Sequence, residues 1–233
     1  MKIFKTILSV FLALIIAIGV TGCMKNNSKS FVSYLENKYP NDNFEFDHFQ
    51  GGTLFGGDRL KEAKCKSEKL SEEIYVVYDS VDNEYSDNYL DVKYSNDTDN
   101  AVNNILKNVF SNEKFTFDKA KESFSSTTKS SSLQSDIDFS AYKSERGISV
   151  YAFVTNYDNQ TRDEIVKKLE EAILKENIYC DSIEIYFVDD YDSDIESNDS
   201  LQNDIVANHK YDNYLLITMT DDSGFSSVEW ENN

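Results

Sequence analysis

The chain of 233 residues is long enough for one large or two small domains with real cores, because 40% of it is hydrophobic. Its formal net charge is −19, from 42 acidic and 23 basic side chains. A field of this sign repels phosphates, so it argues against nucleic acid or anionic lipid as a direct partner and favours cationic peptides, basic proteins and divalent metals. One Pro and eight Gly argue against a disordered stalk.

The first 22 residues have the three-part layout of a secretory signal. Lys2 and Lys5 give a cationic start, and the uncharged run Ile7–Val20 leads to the sequence VTGC, which ends at Cys23. An alternative interpretation is an uncleaved anchor helix over Thr6–Met24, which is free of charge and about long enough to cross a bilayer. Both interpretations place the chain at a membrane.

The apolar residue, small residue, Gly and Cys that end this run resemble the lipobox of bacterial lipoproteins, with Val20 where Leu is commoner. The resemblance implies that the Cys23 thiol receives a diacylglyceryl group and that cleavage of 1–22 leaves it as the new N-terminus. We then expect a protein on the extracytoplasmic face of the cell membrane, held by its acyl chains. Loss of Lys2 and Lys5 would take the net charge from −19 to about −21.

A short polar tether, 23–30, leads into the folded part. Helical spacing of Phe31 and Leu35 predicts a helix that Pro40 ends, and alternation from Phe44 to Gln50 predicts a strand. In that strand, strict alternation puts His48 on the face of Phe44. The segment FVSYLENKYPNDNFEF, which opens this lobe, is similar to the start of uncharacterised Gram-positive lipoproteins, a likeness that implies no known activity.

Three further strands are predicted over Lys61–Lys69, Glu73–Asp79 and Tyr89–Tyr94. Asn96–Asn100 supplies candidate caps for a helix that ends near Phe110, and Phe115 and Phe117 suggest a brief strand after it. Four glycines between positions 51 and 57 lack the GK[ST] signature of a phosphate loop, so a hairpin is favoured.

The second half predicts a strand over Ile148–Thr155, a helix opened by a capping box at Thr161 and Glu164, and a strand over Ser182–Val188. This spacing indicates a right-handed crossover between parallel strands. A hairpin of Tyr214–Thr220 and Ser226–Glu231 follows. The similar strand, helix, strand order in the first half suggests a diverged duplication.

The expected fold class is α+β, with antiparallel-rich sheets, amphipathic helices packed on one face, and two lobes. We expect an N-terminal α+β lobe at 31–122, a Ser/Thr-rich linker at 123–136 and a C-terminal α+β lobe at 137–233, which contains the βαβ unit and the hairpin.

Cys65 and Cys180 remain once Cys23 is assigned to the anchor. In an exported chain they either form one disulfide, which would close a long loop, or lie as two separately buried thiols. Neither has a nearby His in the sequence to make it a nucleophile. The two histidines, His48 and His209, belong to no recognisable metal or catalytic motif.

The densest acidic stretch is DDYDSDIESND, and its Asp190, Asp192 and Asp194 reproduce positions 1, 3 and 5 of a calcium loop. Ile195 then stands where the sharp turn needs Gly, and Leu201 stands where a bidentate Glu is required. Weak Ca²⁺ binding and a solvated acidic loop are the two alternatives, and the mismatches favour the second.

The sequence therefore predicts a membrane-anchored, non-catalytic binding or interaction module of unknown ligand. Its partner could be a cationic peptide or protein, or a cell-wall component. The alternative is a cell-envelope hydrolase with a carboxylate-based site, but the carboxylates are too numerous to choose an acid and a base among them. Tyrosines beside Asp and Asn either stack on a ligand or build the core, and strand alternation favours the core.

Anchoring can be tested by replacing Cys23. In the full chain expressed in a bacterium, Cys23→Ala should abolish metabolic labelling with a fatty acid and the mobility shift of processing, because the acylated thiol is gone. Cys180→Ala retains Cys23 and should be labelled as the parent chain is. Persistent labelling of Cys23→Ala would refute the lipobox interpretation.

Overall fold

The computed structural model describes residues 28–50, 60–111, 114–119, 133–155, 160–189, 206, 208, 210–219 and 224–232. The α+β class predicted from the sequence is confirmed. The chain divides into two compact units, Met1–Val92 with Ser130–Asp136 and Lys93–Lys129 with Ile137–Asn233. The signal segment, Cys23 and the glycines between 51 and 57 lie outside the described residues. Within the described ranges, no helix is long and apolar enough to cross a membrane.

The first unit contains a four-stranded antiparallel sheet in the order β1-β2-β3-β4. The strands are Phe44–Gln50 (β1), Leu60–Ser67 (β2), Ile74–Asp79 (β3) and Glu84–Asp87 (β4). Helix α1, over residues 28–38, packs on this sheet through Phe31 and Leu35, which are four residues apart on one face and fully buried. The Phe31 ring centroid lies 5.8 Å from that of Phe49 and 5.4 Å from that of Tyr85.

A bulge in β1 changes the predicted alternation. The pairing of β1 with β2 shifts between Phe46 and His48, so that Asp47 is an extra residue. Phe49 therefore returns to the face of Phe46, and their ring centroids are 4.8 Å apart. His48 is exposed instead of sharing the face of Phe46.

The predicted strand over Tyr89–Tyr94 is wrong, because Tyr89–Lys93 forms a short helix, α2. The strand that pairs with β3 on the side away from β2 is Glu84–Asp87. At its end the backbone N–H of Tyr89 donates to the Asp87 carboxylate at 3.0 Å. A carboxylate that accepts from a backbone N–H two residues on favours a helix start over an extended chain. The duplication suggested from the sequence relied on Tyr89–Tyr94 as a strand, so the first half lacks the first strand of that strand, helix, strand order.

The second unit contains a five-stranded sheet in the order β5-β6-β7-β8-β9. Its strands are Phe115–Lys119 (β5), Ile148–Val154 (β6), Cys180–Phe187 (β7), Asn213–Met219 (β8) and Phe225–Asn232 (β9). β6 and β7 are parallel, and the other neighbouring pairs are antiparallel. The predicted parallel pair and C-terminal hairpin are both confirmed.

The described residues of this unit form the helices Ser95–Val109 (α3), Phe139–Glu145 (α4) and Arg162–Glu176 (α5). The capping box predicted at Thr161 and Glu164 is present, and α5 ends at Asn177 in the left-handed conformation. α3 begins before the expected caps at Asn96–Asn100, because the Tyr94 carbonyl already accepts from the Thr98 N–H.

The core of the second unit lies between α3, α5 and one face of the sheet. The strand residues on this face alternate with those on the other, as a strand half-buried in a domain requires. Phe110 at the end of α3 contacts Phe187 of β7, with ring centroids 6.2 Å apart. The buried strand residues of this core are Val150, Ala152, Val154, Cys180, Ile183, Ile185, Phe187, Leu215, Ile217 and Met219.

These contacts place α3 and β5 in the second unit, whereas the predicted boundary at 123–136 assigns them to the N-terminal lobe. β5 pairs with β6 along its length, and α3 packs against α5. The division between the units falls after Val92 because the apolar face of α3 has its partners on the C-terminal side of the chain.

Cys65 and Cys180 are free, buried thiols in separate units, and the disulfide considered from the sequence is not formed. Burial raises the pKa of each thiol to about 12, with a smaller contribution from Asp47 and Asp181 respectively. At neutral pH both therefore stay protonated and unreactive, as small apolar core residues.

Of the two described glycines, Gly147, which joins α4 to β6, has the clearer structural requirement. Its φ is +42°, and a Cβ at this position would lie 2.7 Å from the carboxylate oxygens of Asp181. Both the backbone conformation and this close approach disfavour a side chain.

Gly147→Ala should lower the free energy of unfolding by about 1–3 kcal/mol, measured by urea denaturation of the full chain. Asp181→Ala removes the carboxylate, so the penalty of Gly147→Ala should be smaller in that background. An equal penalty in both backgrounds would show that contact with Asp181 is not the cause.

Candidate functional site

A cluster of tyrosines surrounds one carboxylate on the face of the second sheet opposite the helix-covered core. Because Val150 and Ala152 face the core, the alternate residue Tyr151 points the other way. Tyr151 of β6 is paired directly with Glu184 of β7, and Tyr186 of β7 is paired with Tyr214 of β8. Strand register therefore brings together residues from three strands.

The hydroxyl groups of this cluster converge on Glu184. Tyr186 donates a hydrogen bond to Glu184 Oε2 at 3.1 Å, and Tyr214 donates to the same oxygen at 3.2 Å. Tyr151 also hydrogen-bonds to Glu184. We call these four residues, Glu184, Tyr151, Tyr186 and Tyr214, the Glu184 cluster.

The electrostatics keep the three phenols protonated. Burial raises the pKa of Tyr151, Tyr186 and Tyr214 above the ordinary tyrosine value, and the negative charge of Glu184 raises it further. The hydroxyl groups therefore remain donors at neutral pH and hold the Glu184 carboxylate in a fixed orientation.

Ring packing makes the cluster rigid. Tyr186 stacks on Phe153 with ring centroids 5.5 Å apart, and it meets Tyr211 edge to face at 5.2 Å. Phe153 and Tyr186 are buried, whereas Tyr151, Glu184 and Tyr214 are half-buried. The half-buried members are the ones that a partner can contact.

The negative charge of this face continues onto β9. Glu231 is paired with Tyr214, and Glu229 is paired with Leu216, which is itself the partner of Glu184. Both glutamates are exposed. Carboxylates beside tyrosine rings form a surface suited to ammonium and guanidinium groups, which pair with the carboxylates and pack on the ring faces.

The first unit contains a buried carboxylate of a different kind. Asp87 is fully buried and accepts hydrogen bonds on both oxygens. Tyr34 donates at 2.6 Å and Lys38 at 2.8 Å to Oδ2, while Tyr39 donates at 2.8 Å and the Tyr89 N–H at 3.0 Å to Oδ1. The donors come from α1, the residue after it and the start of α2, so Asp87 ties both helices to the end of β4.

Asp42 serves a similar purpose beside it. Its carboxylate accepts from the hydroxyl groups of Ser67 at 2.5 Å and Tyr89 at 3.0 Å, and from the Asn43 N–H at 2.8 Å. The Tyr89 ring in turn stacks on Tyr39, with centroids 4.0 Å apart. Two buried carboxylates with full sets of protein donors indicate a structural network.

The calcium loop predicted at Asp190, Asp192 and Asp194 lies outside the described residues, as does His209. Weak Ca²⁺ binding there stays a prediction. The same holds for lipidation of Cys23.

Strand alternation in the sequence predicts core positions for the tyrosines and gives no signal for Glu184. The core assignment is correct for some of them, including Tyr39, Tyr89 and Tyr142. A usable signal was present in β6 and β7, whose YAF and EIY segments alternate aromatic or acidic residues with small or apolar core residues. Tyr151, Phe153, Glu184 and Tyr186 lie on the face that does not build the helix-covered core, so the core alone does not account for them.

No protein-family model matches this chain, and no curated protein matches it. Among solved structures, the crystal structure of a DUF5037 family protein from Ruminococcus gnavus ATCC 29149 is similar over 86% of this chain and 94% of that chain. The sequence identity is 15% and the TM-score is 0.41.

The structural role of Asp87 can be tested by Asp87→Asn in the full chain. The substitution removes the charge that pairs with Lys38 and turns an amide N–H₂ towards groups that are themselves donors. We expect the free energy of unfolding to fall by about 3 kcal/mol in urea denaturation.

Glu84→Gln is the matched control, since it makes the same chemical change at an exposed position of the same strand. It should unfold close to the parent chain. If Asp87→Asn behaved like Glu84→Gln, the buried network would not be what holds this unit together.

Proposed function

We propose that this protein is a lipid-anchored, extracytoplasmic binding module for cationic peptides or proteins, with the Glu184 cluster as its contact surface. The observation that carries the proposal is the convergence of three tyrosine hydroxyl groups on one half-buried carboxylate. A carboxylate oriented in advance loses little conformational freedom when a cation binds to it.

Charge supports a cationic partner. The chain carries a net charge of −19, and Glu229 and Glu231 extend the negative charge beside the cluster. Complementary charge speeds the encounter between partners and selects against anionic competitors. The tyrosine rings contribute a second attraction for the same groups, because cations interact favourably with aromatic faces.

The anchor part of the proposal is supported by the sequence alone. The cationic start, the apolar run and Cys23 after Gly22 have the layout of a lipoprotein signal. The described part of α1 begins at residue 28, so a tether from Cys23 would span at most five residues and would hold the binding module close to the membrane. Cationic molecules near a bacterial surface would then meet it at a raised local concentration.

The hydrolase alternative receives less support. A carboxylate-based site requires two carboxyl groups that face the substrate together. Asp42 and Asp87, the most deeply buried carboxylates among the described residues, are instead held by donors from the protein itself. The geometry therefore favours binding over hydrolysis.

The proposal can be tested with the full chain purified in detergent and a lysine-rich peptide amide as the probe. Glu184→Gln keeps an oxygen that can accept from the tyrosines but removes the charge. We expect it to weaken peptide binding by about fivefold to tenfold, as measured by isothermal titration calorimetry at low salt. Added sodium chloride should weaken binding to the parent chain.

Glu171→Gln, on the exposed side of α5, makes the same change in net charge away from the cluster. Its affinity should stay within about twofold of the parent chain, since the attraction between two charges falls with their separation and Glu171 lies away from the cluster. Equal losses for Glu184→Gln and Glu171→Gln would contradict the assignment and indicate attraction by overall charge alone. Saturable binding of a neutral cell-wall sugar, without binding of the peptide, would also overturn it.

A further inference from the structure

The exposed face of the first sheet brings together one histidine and two carboxylates. Asp47, His48 and Glu73 each place a possible ligand atom within 4.8 Å of the others. Asp47 and His48 come from β1, and Glu73 immediately precedes β3. Their side chains meet over the middle strand, β2, on the side opposite the buried Ala63 and Cys65.

The bulge in β1 makes this arrangement possible. Consecutive residues of a regular strand point to opposite faces, so Asp47 and His48 would normally be separated by the sheet. The extra residue at Asp47 turns both to the same face, where Asp47 Oδ2 lies 2.5 Å from His48 Nδ1. Bulges that re-aim a side chain in this way recur beside functional sites.

We propose that Asp47, His48 and Glu73 form a binding site for a divalent transition metal, and that Zn²⁺ is the ion it accepts. An imidazole with two carboxylates is a donor set that zinc accepts, whereas calcium and magnesium prefer oxygen ligands alone. Three protein ligands leave a fourth position for water or for a group from a partner.

Small side-chain movements are enough to bring the three ligand atoms to the spacing that one zinc ion requires. Ligand atoms around one tetrahedral zinc ion lie about 3.5 Å apart, so shifts of about 1 Å bring the three residues into range. The side chain of His48 is 52% exposed and that of Glu73 is 35% exposed, which leaves both room to rotate. No part of the buried core has to move.

Two lysines of β2 hold the carboxylates in position. Lys66 Nζ contacts Asp47 Oδ1 at 2.5 Å, and Lys64 Nζ contacts Glu73 Oε2 at 2.8 Å. Each lysine contact uses one oxygen of its carboxylate. The other oxygen of Asp47 contacts His48 Nδ1 and would exchange that contact for the metal. The lysine charges weaken the attraction for a cation but also orient the ligands, as hydrogen bonds around metal sites do.

Zinc binding can be measured by isothermal titration calorimetry on the full chain in detergent, free of any affinity tag, with excess Mg²⁺ present to occupy non-specific acidic sites. We expect one saturable site with a dissociation constant in the micromolar range. His48→Ala should weaken it by about tenfold or more, because a ligand is lost while the number of carboxylates is unchanged. Glu73→Gln should also weaken it.

Two matched controls locate the site. His209→Ala removes the other histidine of the chain, and Glu72→Gln removes an exposed carboxylate next to Glu73. Both should bind zinc as the parent chain does. Absence of saturable binding, or a loss in His209→Ala that His48→Ala does not show, would overturn the proposal. The test involves no residue of the Glu184 cluster, so its outcome is independent of the proposed function.

Discussion

Each sheet of this protein must bury one face, and the other features of the two units follow from that constraint. In the second unit the parallel pair β6 and β7 requires a crossover, and α5 supplies it while covering the same face as α3. In the first unit α1 covers the sheet through Phe31 and Leu35. Strand alternation then assigns every other residue to the opposite face, where polar chemistry is allowed.

The carboxylates of the two units therefore differ in burial and in role. Asp42 and Asp87 are buried and fully hydrogen-bonded, and they connect helices to the sheet of the first unit. Glu184 is half-buried and faces away from the core, with its orientation set by tyrosines. Burial with complete pairing indicates a structural role, because an unpaired buried charge would be too costly. Partial exposure with a fixed orientation is the reason that we propose Glu184 as a contact for a partner.

Much of the fold could be predicted because its signals are local. The helix after Thr161 was predicted by its capping box and apolar spacing, and the hairpin β8-β9 by two strand-like segments, Tyr214–Thr220 and Ser226–Glu231, with a short polar stretch between them. The bulge at Asp47 could not be predicted, since it depends on register with β2. The segment Tyr89–Lys93 alternates like a strand, but it becomes helical because Asp87 accepts from the Tyr89 N–H.

The candidate site was harder to predict than the fold. Glu184 becomes notable only when register places Tyr151 beside it and Tyr214 one strand further on, and these residues are far apart in the chain. The dense acidic run near Asp190 is easier to notice, because proximity in sequence is visible without a structure. Sites assembled across strands depend on non-local pairing, which composition and spacing do not reveal.

The central claim is that the outer face of the second sheet is where a cationic ligand binds. The most direct test is to follow the tyrosine ring signals of the full chain by NMR while a lysine-rich peptide is added, with Tyr151→Phe and Tyr214→Phe used for assignment. We predict saturable shifts of the Tyr151 and Tyr214 signals and little change at Tyr78 of the first unit. Shifts that appear at Tyr78 but not at Tyr151 and Tyr214 would contradict the account.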